Sequence, residues 1–136
     1  MEDWRLVWRD GIAPVLPTKG LEALRDALIS DDPRLTQGST TTPPPLMYVA
    51  DWPVQAACAI GFCGWMAENM KTVKEVDKFF SQTCLLSDQR TGELADCRWF
   101  LNWFDDTPRD EMRRELLREV ESAIATRTDR TTEGVA

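Results

Sequence analysis

The sequence predicts an all-α fold: a single-domain, irregular bundle of about five helices with an ordered Thr/Pro-rich loop. Apolar residues recur every three or four positions along most of the chain, and Ser, Thr or Asp residues stand where those runs begin. The chain has 136 residues, of which 43% are hydrophobic and 29% are charged. This length suits one domain, and this composition is typical of a globular protein with its own core.

The first segment, residues 3–16, is compatible with a helix or with a strand. Trp4 and Trp8 share one helical face, whereas Leu6 aligns with both tryptophans in an extended chain. We favour a short helix, which Gly11 restricts to a few turns.

A clearer helix begins at Thr18, whose hydroxyl is suited to capping the first turn. Leu21, Leu24 and Leu28 recur at spacings of three and four, so they predict one buried face. The stretch Ser30–Pro33 ends this helix, because the residue before a proline is disfavoured in the α region.

Residues 37–45, QGSTTTPPP, predict a rigid strap across the domain. Three consecutive prolines favour a polyproline II rod and lower the entropy lost on ordering. Leu46 and Tyr48 follow at once, and we expect the burial of one or both to anchor the far end. A short strand at Tyr48–Ala50 is compatible with the same pattern. The competing interpretation is a peptide ligand for an SH3 or WW domain. However, residues 37–48 contain neither the PxxP pattern nor the PPxY pattern that such domains bind.

The next helix is predicted to have Asp51 as its N-cap and Pro53 in its first turn, and to run to about Asn69. Small and apolar residues lie nearly all round it, which indicates a buried helix. Gly61 and Gly64 each cost about 1 kcal/mol relative to alanine, a loss that the close approach of a neighbouring element would offset.

Thr72 and Glu75 form a capping box that predicts a further helix ending near Leu86. Its apolar stripe comprises Val73, Val76, Phe80 and Cys84, with Phe79 beside it.

Residues 93–106 form the most aromatic segment of the chain and predict a central helix. Its broad apolar face comprises Leu94, Cys97, Phe100, Leu101 and Phe104. Trp99 and Trp103 lie on an adjoining face. Because large and small side chains interdigitate across facing layers, we expect the rings to pack into the Ala/Gly face of the preceding buried helix.

The last helix begins with Thr107 as a cap and Pro108 in the first helical position, and is predicted to end near Arg127. Its apolar stripe comprises Met112, Leu116, Val120 and Ala123. Residues 128–136 lack apolar periodicity, so we predict a helical domain of residues 1–127 and a flexible C-terminal tail.

Several chemistries are disfavoured. The chain has no histidine, which excludes Ser-His-Asp and Cys-His catalysis and removes the commonest metal ligand. On a continuous helix Cys58 and Cys63 would lie about 140° apart, and Cys84 and Cys97 belong to other helices. No CxxC pair exists, so we expect buried cysteines, no metal and no cofactor.

The charge of the chain disfavours nucleic acid as a partner. The net charge is −7, which repels phosphate backbones. In the densest basic run, acids alternate with arginines, and the spacing predicts Asp110–Arg114, Glu111–Arg114 and Glu115–Arg118 pairs within one helix. No secretory signal and no apolar run long enough for a membrane span is evident, so we expect a cytoplasmic protein.

For function we favour a non-catalytic accessory or protein–protein interaction module that binds another protein or associates with itself. The candidate partner-binding patch is Trp4, Arg5, Trp8 and Arg9, because Trp and Arg are enriched in interface hot spots. The competing interpretation places both tryptophans on the core as a lid. Two further classes stay open: an acidic inhibitor or nucleic-acid mimic, and a small carboxylate-dependent enzyme.

Overall fold

A computed structural model describes residues 3–44 and 51–135, with side chains described as far as residue 128. The described chain is mainly helical, which confirms the predicted all-α class. Its α-helices are α1 (Trp4–Val7), α2 (Thr18–Ser30), α3 (Ala59–Ala67), α4 (Val73–Thr91), α5 (Arg98–Asp106) and α6 (Arg109–Val135). Within these residues the one sheet is an antiparallel pair of two-residue strands, β1 (Thr41–Thr42) and β2 (Ala56–Ala57).

The N-terminal segment is helical, as we favoured. The Asp3 carboxylate accepts a hydrogen bond from the Arg5 backbone N–H at 2.9 Å and caps α1. A π-helical turn, Trp8–Ile12, then continues the helix. A Cβ added at Gly11 would overlap Ser87 on α4, so the absence of a side chain lets this turn lie directly on α4.

The second helix begins at the predicted residue and has the predicted buried face. The predicted capping by the Thr18 hydroxyl is wrong, because Pro17 is the N-cap and that hydroxyl accepts a hydrogen bond from Arg127. α2 begins at Thr18, and Leu21, Leu24 and Leu28 are all buried. It ends where Asp31 adopts the left-handed conformation, with φ of 55°. α2 packs between α3 and α6.

Part of the predicted strap lies among the described residues. Thr41 in β1 is buried, and its hydroxyl donates to the Pro43 carbonyl oxygen at 2.7 Å. The predicted anchors Leu46 and Tyr48, and the predicted strand at Tyr48–Ala50, lie outside the described residues. The anchoring of the strap therefore stays a prediction.

The prediction that Asp51 begins a helix is wrong. α3 starts only at Ala59, and the preceding residues are extended. The Ala57 N–H donates to the Arg34 carbonyl oxygen at 2.8 Å, and β2 pairs with β1. These long-range hydrogen bonds satisfy the backbone of an Ala-rich stretch that would otherwise favour helix. The Asp51 carboxylate accepts instead from the Lys74 N–H at 3.0 Å, at the start of α4.

The small-residue face of α3 packs against α4. A Cβ added at Gly64 would overlap the Phe79 ring, and one added at Gly61 would lie 2.9 Å from Val76 Cγ1. The close approach expected at both glycines is therefore present. The predicted partner, the aromatic helix of residues 93–106, is wrong, because the approaching side chains belong to α4.

The aromatic rings of α5 pack instead against the N-terminal segment. The Trp103 ring stacks on Trp4 with centroids 3.6 Å apart, and Phe100 lies 5.2 Å from Trp8. The large residues of α5 therefore pack against large residues, because Trp4 and Trp8 of the N-terminal segment lie against α5 where small residues were expected.

Several helix ends and exposures differ from the prediction. α4 continues past Leu86 to Thr91 and is closed by Gly92 in the left-handed conformation, with φ of 78°. Leu94 is 87% exposed instead of buried, because α5 begins only at Arg98. α6 extends to Val135, past the predicted end. The flexible tail over residues 128–136 stays a prediction.

The arginines of α6 connect different helices. Arg113 donates to the carbonyl oxygens of Leu28 and Ile29 at 2.9 and 3.1 Å, so it caps the C-terminus of α2. Arg109 pairs with Asp31 at 2.9 Å. These contacts hold α6 on α2. The three intrahelical pairs expected from spacing are not among the ion pairs of the described residues; within α6, Arg113 lies 3.6 Å from Asp110 and Arg114 lies 3.6 Å from Glu115.

These ion pairs predict acid-sensitive stability. The Arg109 guanidinium lowers the pKa of the Asp31 carboxyl, and Arg5 likewise lowers that of Glu115. A carboxyl with a lowered pKa stabilises the fold above its unfolded-state value of about 4 and loses that contribution as the pH falls through its folded-state pKa. We expect the urea midpoint to fall steadily below about pH 5, with a smaller fall in Arg109→Gln. An identical acid profile in that variant would contradict the role of the pair.

None of the helices within residues 3–44 and 51–135 has an apolar stretch long enough to cross a bilayer.

Candidate functional site

The two tryptophans of the predicted patch lie on the core. Trp4 is 7% exposed and Trp8 is fully buried, as in the competing interpretation of this segment as a lid. The Trp8 indole is therefore not available to a partner at the surface. Of the predicted patch, only an edge of Trp4 and the two arginines reach the surface, where a partner would bind.

The two arginines of the predicted patch lie at the surface and both reach α6. The Arg5 guanidinium donates to Glu115 at 2.8 Å. Arg9 binds the buried Glu119 carboxylate through two hydrogen bonds, at 2.7 and 2.8 Å. These contacts make both guanidinium groups structural ties between the N-terminal segment and α6.

A groove between α1 and α5 contains the part of Trp4 that reaches the surface. We call it the tryptophan groove. Its volume is about 580 Å³, and its lining residues are Asp3, Trp4, Trp99, Asn102, Trp103, Asp106 and Thr107. Trp99 and Trp103 are four residues apart on α5, so both project from one side of the helix. Trp4 stacks on Trp103 with an interplanar angle of 9°, so the groove combines residues of α1 and α5, which are distant in sequence.

Both of the described charged residues that line the tryptophan groove are acidic. Asp3 and Asp106 are exposed at its edges, and none of the described residues that line it is basic. Guanidinium groups of the chain itself already stack beside the rings: Arg5 Cζ lies 4.7 Å from the Trp4 centroid, and Arg98 Cζ lies 5.0 Å from the Trp99 centroid. Indole faces attract cations through their quadrupole, and nearby carboxylates add to that attraction.

A second cavity, of about 260 Å³, lies between the N-terminal segment and α6, and Trp8, Glu119 and Arg127 contribute to its lining. Glu119 is bound by Arg9, and Arg127 donates to Thr18 and to the Ala13 carbonyl oxygen at 3.0 and 2.6 Å. The Trp8 indole N–H has no hydrogen-bond partner within the described residues. Most of the charged groups that line this cavity therefore have partners within the protein and stabilise the fold.

One of the carboxylates near the start of α6, that of Asp105, has a structural partner. Asp105 accepts a hydrogen bond from the Gly38 N–H at 2.9 Å. The displaced carboxyl pKa values, including those of Asp31 and Glu115, are lowered by arginines, whereas a general acid at neutral pH needs a raised value. In the part of the chain that the structure describes, no three Cys, Asp or Glu residues form a group suited to a metal ion.

The loop after α4 folds back onto that helix at Asp88. The Asp88 carboxylate accepts a hydrogen bond from the backbone N–H of Cys97, the N-cap of α5, at 3.1 Å and one from that of Ala95 at 2.8 Å. Cys84 lies one turn before Asp88 on α4 and is partly exposed. No local spacing predicts this arrangement, because it depends on how the loop after α4 folds back on that helix.

The other two cysteines are buried and chemically inert. Cys58 is the N-cap of α3, not part of a helix that also holds Cys63, so the azimuth expected between them does not apply. Burial raises the pKa of the Cys58 thiol to about 11 and also raises that of Cys63.

Comparison with protein-family models, with curated proteins and with solved structures finds no match to this chain. The function proposed below therefore follows from the shape and charge of the tryptophan groove.

Proposed function

We propose that this protein is a non-catalytic interaction module whose tryptophan groove binds a basic segment of another protein. The observation that carries the proposal is that one groove is lined both by Trp4, Trp99 and Trp103 and by the carboxylates of Asp3 and Asp106. A Lys or Arg side chain fits this arrangement, because its stem covers an indole ring while its charge meets the ring face and a carboxylate.

The accessibility of the rings supports this proposal. Trp99 and Trp103 are both partly exposed, so a bound segment would remove further aromatic surface from water. Tryptophans in such positions supply much of the affinity of an interface.

The overall charge supports the same partner. With a net charge of −7, the chain attracts basic segments over a distance and repels acidic ones. We therefore expect binding to weaken as the salt concentration rises.

The alternatives have less support. A nucleic-acid mimic needs an uninterrupted acidic face, whereas Asp31, Asp32 and Glu115 all pair with arginines. A carboxylate-dependent enzyme needs two convergent acids, and the displaced carboxyl pKa values are shifted in the opposite direction.

The proposal predicts binding of basic peptides at the groove. Synthetic hexaarginine and hexalysine should bind in titration calorimetry with Kd values of about 10–100 μM, and hexaglutamate should not bind. Trp99→Ala should weaken hexaarginine binding at least about tenfold, because it removes a partly exposed ring of the groove. Asp106→Asn should weaken binding and reduce its dependence on salt.

Two matched variants control for nonspecific effects. Trp52 is 49% exposed and does not line the groove, so Trp52→Ala should leave the Kd unchanged. Glu22→Gln removes one exposed charge on α2 and controls for net charge. Equal weakening by Glu22→Gln and Asp106→Asn would show attraction to the whole acidic surface and overturn the proposal. A concentration-dependent dimer that Trp99→Ala abolishes would instead identify a second copy as the occupant.

A further inference from the structure

We propose that the cavity between the N-terminal segment and α6 binds a small organic monocarboxylate, whose carboxylate pairs with Arg9 and whose apolar body fills the remaining space. We call this cavity the Arg9 cavity. It shares no described lining residue with the tryptophan groove, so the proposal does not depend on what that groove binds.

The first support is the unused edge of the Arg9 guanidinium. Arg9 donates from Nε and Nη2 to the two carboxylate oxygens of Glu119, at 2.7 and 2.8 Å. A guanidinium carries five N–H groups in a planar fork, so this pair leaves the edge formed by Nη1 and Nη2. The Arg9 side chain is 55% exposed, so a ligand can reach this edge. A second carboxylate can therefore bind Arg9 through two parallel hydrogen bonds.

The second support is the charge of the lining. Among the described residues that line the Arg9 cavity, Arg9 and Arg127 are basic and Glu119 is acidic. Glu119 is buried and already bound by Arg9. Hydrogen bonds to Thr18 and to the Ala13 carbonyl oxygen hold the Arg127 guanidinium at the cavity. This lining suits one negative charge, whereas the net charge of −7 on the whole chain repels polyanions.

The third support is the size of the cavity and its apolar part. Its volume is about 260 Å³, smaller than the about 300–1,000 Å³ typical of pockets for drug-sized molecules, so it suits a body of about one ring. The lining includes the buried Trp8 and Ala13 and the exposed Pro14, so the cavity extends from the core to the surface. Ala123 contributes a small side chain that leaves the space open. An apolar body bound here would be removed from water.

The test titrates the full, isotope-labelled chain with sodium benzoate at constant ionic strength and follows the backbone N–H and arginine Nε–H signals by NMR. We expect saturable shifts of the Arg9 Nε–H and of residues 119–126, with a Kd of about 0.1–1 mM. Benzamide has the same ring without the charge. It should bind at least about tenfold more weakly, because it cannot form the charge-assisted pair with the guanidinium. Acetate has the charge without the ring and should also bind at least about tenfold more weakly.

Two variants and a matched control locate the binding site. Arg9→Lys keeps the charge and can still pair with Glu119, but it lacks the planar fork and should weaken benzoate binding at least about fivefold. Ala123→Leu keeps Arg9 and fills the cavity, so it should abolish the saturable shifts. Arg118 is exposed on α6 and is not among the residues that line the cavity, so Arg118→Gln removes one positive charge and should leave the Kd unchanged.

Benzamide that binds as tightly as benzoate would overturn the proposal. This comparison uses the wild-type chain, so it does not depend on whether a variant folds. Equal weakening by Arg9→Lys and Arg118→Gln would show attraction to positive charge in general and would also overturn it. Benzoate shifts that do not saturate, or that saturate only outside the lining of the Arg9 cavity, would have the same consequence.

Discussion

Replacing Trp8 with alanine is expected to lower the free energy of unfolding by about 3–5 kcal/mol. Trp8 is fully buried, and its ring lies 5.2 Å from Phe100 in the middle of the contact between the N-terminal segment and α5. A loss of this size is a large part of the total stability of a typical domain, which is about 5–15 kcal/mol. Urea unfolding followed by far-ultraviolet circular dichroism would measure it.

Two variants separate packing from other causes. The Trp8 indole N–H has no partner within the described residues, so Trp8→Phe removes volume without breaking a hydrogen bond and should cost less than Trp8→Ala. Trp52→Ala removes a tryptophan that is 49% exposed and should change stability by no more than about 0.5 kcal/mol. Equal losses in Trp8→Ala and Trp52→Ala would contradict the burial of Trp8.

The burial of Trp8 also changes how binding should be tested. If the predicted patch lay at the surface, alanine at both Trp4 and Trp8 would weaken association without unfolding the protein. Since both rings lie on the core, that pair of substitutions would disturb the fold first. Trp99, which is partly exposed on α5, is the better position for a binding test.

The second large effect is expected at Gly20, where alanine should lower the free energy of unfolding by about 1–3 kcal/mol. A Cβ at this position would lie 2.7 Å from the Cys63 carbonyl oxygen and 2.8 Å from Cys63 Cβ. The obstacle is the backbone of α3, which cannot move aside as a flexible side chain would. Helix propensity alone predicts the opposite sign, because alanine is about 1 kcal/mol better than glycine inside a helix.

Glu22→Ala provides the matched comparison. Glu22 is exposed on the same helix, so its replacement tests helix propensity without a steric clash and should leave the urea midpoint nearly unchanged. If Gly20→Ala were more stable than the wild type, α2 and α3 would not approach as closely as the structure shows.

Signals within a few residues predicted much of the helical structure. The Thr72 hydroxyl accepts from the Glu75 N–H at 3.3 Å, so the predicted capping box begins α4 as expected. The leucines of α2 and the apolar stripe of α6, with Met112 and Leu116 fully buried, also lie where periodicity placed them. These features were predictable because a helix brings residues three and four positions apart onto one face.

Elements that depend on distant partners were not predictable in the same way. The Ala-rich stretch before Ala59 favours helix by composition, yet the Ala57 backbone hydrogen-bonds to Arg34 and Thr36 in an extended form. The candidate site behaves likewise. Its residue types were recognisable in the sequence, but the stacking of Trp4 on Trp103 joins segments that no local spacing connects.

The sequence by itself determined the helical class, most helix starts and the buried apolar faces of α2 and α6. Only the tertiary structure decided which faces meet: α3 with α4 through Gly61 and Gly64, and α5 with the N-terminal tryptophans. The physical reason is that propensity, capping and periodicity act over one or two turns, whereas packing depends on the shapes of surfaces far apart in the chain.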